Sequence, residues 1–123
     1  MNKKAVLVDT VPAAVGPYSH ANIVGDLVFV SGQLPILDGV MQDNIPDGTR
    51  ACLTNVKNIL EEVGSSLEKC VKITVFLRDM ADFAAMNKVY AEFFTENEPA
   101  RSAFAVLDLP KDARVEIEAI AHL

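Results

Sequence analysis

Apolar residues recur along this chain with two different periods, and the changes of period divide it into elements. Ala5-Val6-Leu7-Val8 is a short β-prone run, and Pro12, Gly16 and Pro17 then mark a loop. Ser19–Val24 and Leu27–Ser31 follow as two strands, with Gly25-Asp26 as the tight turn between them. Leu27-Val28-Phe29-Val30 is apolar at both parities, which predicts a central strand covered on both faces. Gly32-Gln33-Leu34-Pro35 ends that strand, and Asp38-Gly39 predicts a further turn. The period becomes helical from Gly48 to Val63, where Leu53, Val56, Leu60 and Val63 form a stripe widened by Cys52 and Ile59. Asp47 is the predicted N-cap and Gly64 the residue just past the end. Val71–Leu77 alternates as a half-buried strand with Val71, Ile73, Val75 and Leu77 inward. A second helix spans Ala81–Phe94, capped by Asp79, with Phe83, Met86, Tyr90 and Phe93 on one face. Ala103–Leu107 and Arg114–Ala121 read as two closing strands around a Pro110-Lys111-Asp112 turn.

Strands, helix, strand, helix and two strands predict an α+β fold with both helices packed on one face of the sheet. The other face must then meet solvent or another subunit, and Phe76, Phe104 and Ile120 fall on it. With 123 residues the chain is expected to be one domain, residues 1–123, able to fold without a metal or disulfide. Half of its residues are hydrophobic and the mean hydropathy is +0.23, high for a small soluble protein. Apolar surface hidden between subunits accounts for that excess.

The net charge of −6, with no Lys/Arg cluster, argues against nucleic acid and against an acidic membrane surface as partners. A small anion is still admissible, because one buried Arg acts at short range whatever the net charge. Cys52 and Cys70 sit among apolar neighbours and are expected to be free thiols, which fits a cytoplasmic protein. Two Cys and two His without ligand-like spacing give no metal site. Met1-Asn2-Lys3-Lys4, followed by a short apolar run broken by Asp9, is not expected to act as a signal peptide, and no later run is long enough to span a bilayer.

There is no phosphate-binding glycine loop, nucleophile elbow or metal-binding helix motif. The chemistry on offer is a pair of charges in the apolar C-terminal region, Arg101 at the mouth of one strand and Glu116 inside the next. Such a cation can hold an acidic substrate while the carboxylate activates water. From spacing alone, two solvated charges on the polar face of a sheet account for the pair better. Glu118 shares the strand parity of Glu116, so spacing cannot choose between them. For His20 and His122, exposure or hydrogen bonding is favoured over catalysis.

Six segments, however, occur together in the order of a known family. They are Gly16-Pro17-Tyr18-Ser19, Val28–Pro35, Thr74–Met80, Tyr90–Phe94, Pro99-Ala100-Arg101-Ser102 and Val115–Ala121. Together they resemble the RidA/YjgF family of reactive-intermediate imine deaminases over nearly the whole chain. That resemblance implies a chorismate-mutase-like α+β domain with a mixed sheet, assembled as a homotrimer with active sites in the clefts between subunits. It implies hydrolysis of 2-imino acids, such as 2-iminobutanoate and 2-iminopropanoate, to 2-oxoacids and ammonia without a cofactor.

The residues suit that chemistry. An imino acid carries a carboxylate that Arg101 can grip bidentately. A protonated imine carbon is already electrophilic, so what remains is to hold water and take its proton, a task for Glu116 once partial burial raises its pKa. The resemblance selects Glu116 over Glu118 and places Tyr18, Ser31, Gly32, Asn87 and Ala103 around the substrate, Tyr18 from across the subunit boundary. It reverses the solvated reading of Arg101. Departures from the family pattern are Ala103, where Cys or Thr is usual, Leu107, where a smaller residue is usual, His20, where Gln is common, and a shortened Leu37–Pro46 stretch. Ala103 lends some weight to an alternative, a non-catalytic trimer that binds a 2-oxoacid or amino acid in the same cleft. Ribonuclease activity is disfavoured by the charge, and a chaperone role is a looser reading.

Overall fold

The computed structural model describes residues 2–123 of the chain. A six-stranded mixed sheet runs in the spatial order β1 (Lys3–Val6), β2 (Ala21–Val24), β3 (Leu27–Gln33), β8 (Val115–His122), β6 (Cys70–Leu77), β7 (Ala100–Ala105). Every neighbouring pair is antiparallel except β6 and β7, which are joined in parallel through the second helix. Two helices, α1 (Ile45–Glu62) and α2 (Phe83–Phe93), cover one face. A small hairpin, β4 (Ile36–Leu37) and β5 (Val40–Met41), turns at Asp38-Gly39 as the sequence predicts. Among the described residues, no helix is long and apolar enough to cross a membrane.

Helix α1 begins three residues before its predicted start. Asn44 is its cap, accepting from the Asp47 backbone N–H at 2.8 Å, and Pro46 lies in the first turn. Asp47, the predicted cap, instead accepts from the Asn44 amide and sits 3.4 Å from Arg50. The far end is as expected: Gly64 (φ 88°) donates to Glu61 and Ser65 donates to Leu60, closing the helix with the two backbone bonds of a Schellman motif. Asp79 caps a short 3₁₀ turn, Met80–Asp82, that leads into α2.

The core lies between helices and sheet. Leu53, Val56, Ile59 and Leu60 of α1 meet Val28, Val30, Ile73, Val75, Ile117 and Ala119 of the strands, all buried. Two expectations about parity fail, for separate reasons. The register of β6 against β8 shifts between Cys70 and Lys72, so Cys70 turns inward and Val71 outward. Strand β3 is central, as its composition predicts, but only Val28 and Val30 are covered, because both helices take the same face. Leu27 and Phe29 remain exposed on the open face, with Phe104 beside Phe76 in an edge-to-face pair at 5.5 Å.

The largest topological surprise lies at the C-terminus. Strands β7 and β8 are consecutive in sequence but do not pair. β6 lies between them, because β7 enters at the sheet edge parallel to β6 and β8 inserts between β3 and β6.

Candidate active site

Glu116 points to the open face of β8 and is half-buried. Burial pushes its carboxyl above the ordinary range, and repulsion from Glu118, two residues along on the same face, pushes in the same direction. The side chain fits because residue 32 is glycine. A Cβ added there would stand 2.9 Å from Cδ of Glu116, so any larger residue displaces the carboxylate. Strand β3 also shifts register against β8 between Val30 and Gln33, which brings the Ser31-Gly32 backbone beside Glu116.

The wall facing Glu116 is built by the segment before β2. Ser31 Oγ donates to the Ser19 carbonyl at 2.6 Å, and the Ser31 N–H donates to His20 O at 2.9 Å. Tyr18, about half exposed, stands on a turn closed by its own N–H to Gly16 O, with Gly16 at φ 129°. His20 is buried and anchors the segment at both ends. Nδ1 accepts from the Val8 N–H and Nε2 donates to Pro12 O, both at 2.9 Å, which fixes the neutral Nε2–H tautomer. Tyr18, Ser31, Gly32 and Glu116 thus line one cavity of about 540 Å³, with Glu118 and Lys111 at its polar side and Val15, Leu34 and Ile36 among its apolar lining.

Lys111 was not among the residues expected at the site. It reaches the cavity from the Pro110–Asp112 turn, where Lys111 and Asp112 hold φ of 56° and 57°. Two consecutive left-handed residues that are not glycine are uncommon, and the Pro-Lys-Asp turn was the signal available in the sequence.

Arg101 lies elsewhere. On β7 it shares the parity of Ala103, whose side chain packs against the core, so it projects to the helix-covered face. Its guanidinium carbon sits 4.6 Å from the centroid of the Tyr90 ring and 5.6 Å from that of Phe83, and Nη1 donates to Asn87 Oδ1 at 2.6 Å. Asn87 and Arg101 are therefore in direct contact, with Ala103 next on the same face.

Arg101 and Glu116 do not converge within one chain. Arg101 pairs in register with Ile73 and Glu116 with Phe76, so they stand two strands and three residues apart. That geometry separates their Cα atoms by roughly 14 Å, and they project from opposite faces of the sheet. A single cleft between consecutive strands is ruled out by β6, and the solvated-face reading does not describe Arg101, which packs under a helix. The seven residues singled out in the sequence fall into two sets, Tyr18, Ser31, Gly32 and Glu116 on the open face, and Asn87, Arg101 and Ala103 at the edge of the covered one.

Both cysteines are free and buried, and burial pushes Cys70 up to about 12, which leaves it an inert thiol. Among the described residues, no three His, Cys, Asp or Glu side chains lie close enough to hold a metal ion.

Comparison with known proteins adds a family. The sequence pattern of the family described as endoribonuclease L-PSP matches residues 8–123. A RutC family protein of Pyrococcus horikoshii is 47% identical over 123 residues, covering 98% of both chains. The 2-iminobutanoate/2-iminopropanoate deaminase of Salmonella typhimurium is 42% identical over 123 residues, covering 96% of each. The crystal structure of Escherichia coli TdcF with bound serine superposes with a TM-score of 0.93 at 41% identity, covering 98% of both chains.

Proposed function

The chain belongs to the endoribonuclease L-PSP family, the RidA/YjgF group that its motifs resemble, and from that premise we propose that it hydrolyses 2-imino acids such as 2-iminobutanoate and 2-iminopropanoate to 2-oxoacids and ammonia. The observation that carries this reading is the split site. A guanidinium with no carboxylate partner among the described residues stands on one face, and a carboxylate of raised proton affinity lines a cavity on the other.

Assembly joins the halves. The open face exposes Leu27, Phe29 and Phe104, apolar surface that a second copy would cover. A closed ring of copies related head to tail sets the Arg101 edge of one subunit against the Glu116 cavity of the next, and a homotrimer with a chorismate-mutase-like arrangement is the ring we favour. In that cleft Arg101 binds the substrate carboxylate through its free donors. Tyr18, Ser31 and Gly32 shape the opposite wall with Glu116, and Asn87 and Ala103 border the Arg101 side.

Glu116 then takes a proton from water as that water attacks the C=N carbon. Glu116 gives that proton to the nitrogen of the resulting carbinolamine, and the C–N bond breaks as the hydroxyl proton passes back to Glu116 and C=O forms. Ammonia leaves with the proton the iminium brought, as ammonium, which returns Glu116 to its carboxylate form. Raised proton affinity suits both transfers, since the group must accept and then give. No chemistry in this sequence calls for a cofactor. The relative named as an imine deaminase supports the substrate class, and two carboxylates in the cavity would repel a phosphodiester, which weighs against RNA as substrate.

The test couples the imino acid, generated in situ by a pyridoxal-phosphate dehydratase, to ammonia release. The intact chain is expected to accelerate release, and Arg101→Ala to lose at least 100-fold in rate while sedimentation shows the same assembly. Ligand binding by the intact chain without any acceleration over solution hydrolysis would establish the binding-only alternative.

A further inference from the structure

Arg101 differs from the other three arginines in how its charge is held. Arg50, Arg78 and Arg114 each lie within 4 Å of a carboxylate, namely Asp47 and Glu92, Asp112, and Asp82 respectively. Among the described residues, Arg101 has none. It is partly buried on an edge strand, where an uncompensated charge is costly unless something else stabilises it.

What surrounds it is one face of α2. Phe83, Asn87 and Tyr90 follow each other at four- and three-residue spacing, so they stack along the same side of the helix. The two rings present π faces to the guanidinium, and the Asn87 Oδ1 accepts a hydrogen bond from Nη1. Three contacts fix the plane and rotation of a side chain that otherwise carries four flexible torsions.

Tyr90 is the informative member. Its ring is buried, yet among the described residues its hydroxyl has no hydrogen-bond partner. Burial pushes the phenol up to about 12, so it is neutral and offers Arg101 a ring face and no phenolate. A buried hydroxyl without a partner contributes nothing to the fold and costs its desolvation. What this residue supplies is the aromatic surface under the cation, tilted against Phe94 at 4.7 Å.

We propose that Tyr90 and Phe83 are positioning residues for substrate binding, an aromatic bracket on α2 that preorganises the Arg101 guanidinium to receive a carboxylate. The inference rests on the assignment of Arg101 as the carboxylate anchor. It adds that the anchor's strength is set on the helix, and that the bracket stands where the other three arginines have an acidic partner. A carboxylate partner would have neutralised the anchor and competed with substrate. Aromatic faces stabilise the cation while leaving its outer edge available.

Two measurements test it. In the coupled ammonia assay, Tyr90→Leu is expected to raise KM five- to thirtyfold with kcat within about threefold, and Tyr90→Phe, which keeps the ring, to return KM to within about twofold of the parent. Phe83→Leu, at a less buried position, is expected to raise KM in the same direction by a smaller factor, and it carries the test if Tyr90→Leu does not fold. An unchanged KM in the leucine variants, or a Tyr90→Phe variant as impaired as Tyr90→Leu, overturns the proposal.

The second measurement is independent of activity. In a spectrum of ¹⁵N-arginine-labelled protein, the Arg101 side-chain signals are expected to show ring-current displacement and slowed guanidinium rotation, both lost in Tyr90→Leu. Signals at random-coil positions in the parent overturn the bracket. Ring-current shifts present in a parent without turnover would instead preserve the bracket and overturn the proposed hydrolysis.

Discussion

The two faces of one sheet treat their functional charges in opposite ways. On the helix-covered face, Arg101 is wrapped by Phe83, Asn87 and Tyr90, which hold the guanidinium against two ring faces and an amide oxygen and fix its direction. On the open face, Glu116 lies in a cavity with Glu118 near it, surroundings that disfavour its charge and raise its proton affinity. The contrast suits the proposed division of labour. An anchor should stay charged and still, whereas a proton carrier should be poised to change state. Strand alternation alone separates the two environments, since a change of parity moves a side chain from one face to the other.

The largest expected effect bears on how the two faces meet. Arg101→Ala and Glu116→Gln should each be nearly inactive alone, with losses on the order of 10² to 10⁴ for removing a positioned proton carrier. Unfolded together in equal amounts and refolded, they should regain activity. Random mixing across a head-to-tail interface gives about a quarter of sites both intact residues, one from each copy. No recovery in the mixture would break the idea that opposite faces from different copies form one site.

A smaller effect isolates the open face. Gly32→Ala is expected to lower kcat by about tenfold to a hundredfold, because the new methyl occupies space that the Glu116 carboxylate needs. The Arg101 side should be untouched, so affinity for a 2-oxoacid should fall much less than kcat. Equal losses in both would show that Gly32 acts on the fold and not on Glu116.

The smallest effect is a pH signature. Glu116 has a raised carboxyl pKa in the folded chain, so the folded state binds that proton more tightly than the unfolded state does. Its contribution to stability is full below the unfolded value and is lost as pH rises through the folded value. Thermal melts should therefore show Glu116→Gln gaining stability relative to the parent near neutral pH and losing that gain in acid. Activity runs the other way, since only the deprotonated group accepts from water, and the acid limb of kcat should lie above the ordinary glutamate range. A stability difference independent of pH would remove the asymmetry between the faces.

Much of the architecture was legible in the chain. The stripe through Leu53, Val56 and Leu60 gave α1, the alternation of Ile73, Val75 and Leu77 gave β6, and Gly64 marked a helix end that the structure closes with the expected backbone bonds. Errors fell where a local signal had a close competitor. Asn44 and Asp47 are both good caps three residues apart, and the Asn44–Asp47 exchange uses both. Val71 lost its inward place to Cys70 through a shift in register that no pattern of residue types announces. His20 is hydrogen-bonded, one of the two roles its sequence setting favours, and only the structure shows that its two ring nitrogens hold the segment that forms the cavity wall.

What the sequence by itself determined is the set of elements, their apolar faces and the identity of the residues with chemistry to offer. These follow from periodicities of 2 and 3.6 and from side-chain type, both local properties. Only the tertiary structure decided which of those residues meet. Strand order and register are long-range outcomes. The insertion of β8 between β3 and β6 set a strand between two charges that are neighbours in sequence order, and the pairing of Arg101 with Ile73 and Glu116 with Phe76 put them on opposite faces. The same packing brought Phe83, Asn87 and Tyr90 beneath Arg101 and set Gly32 against Glu116. Those contacts join positions 11 to 84 residues apart, a range over which no local pattern carries information.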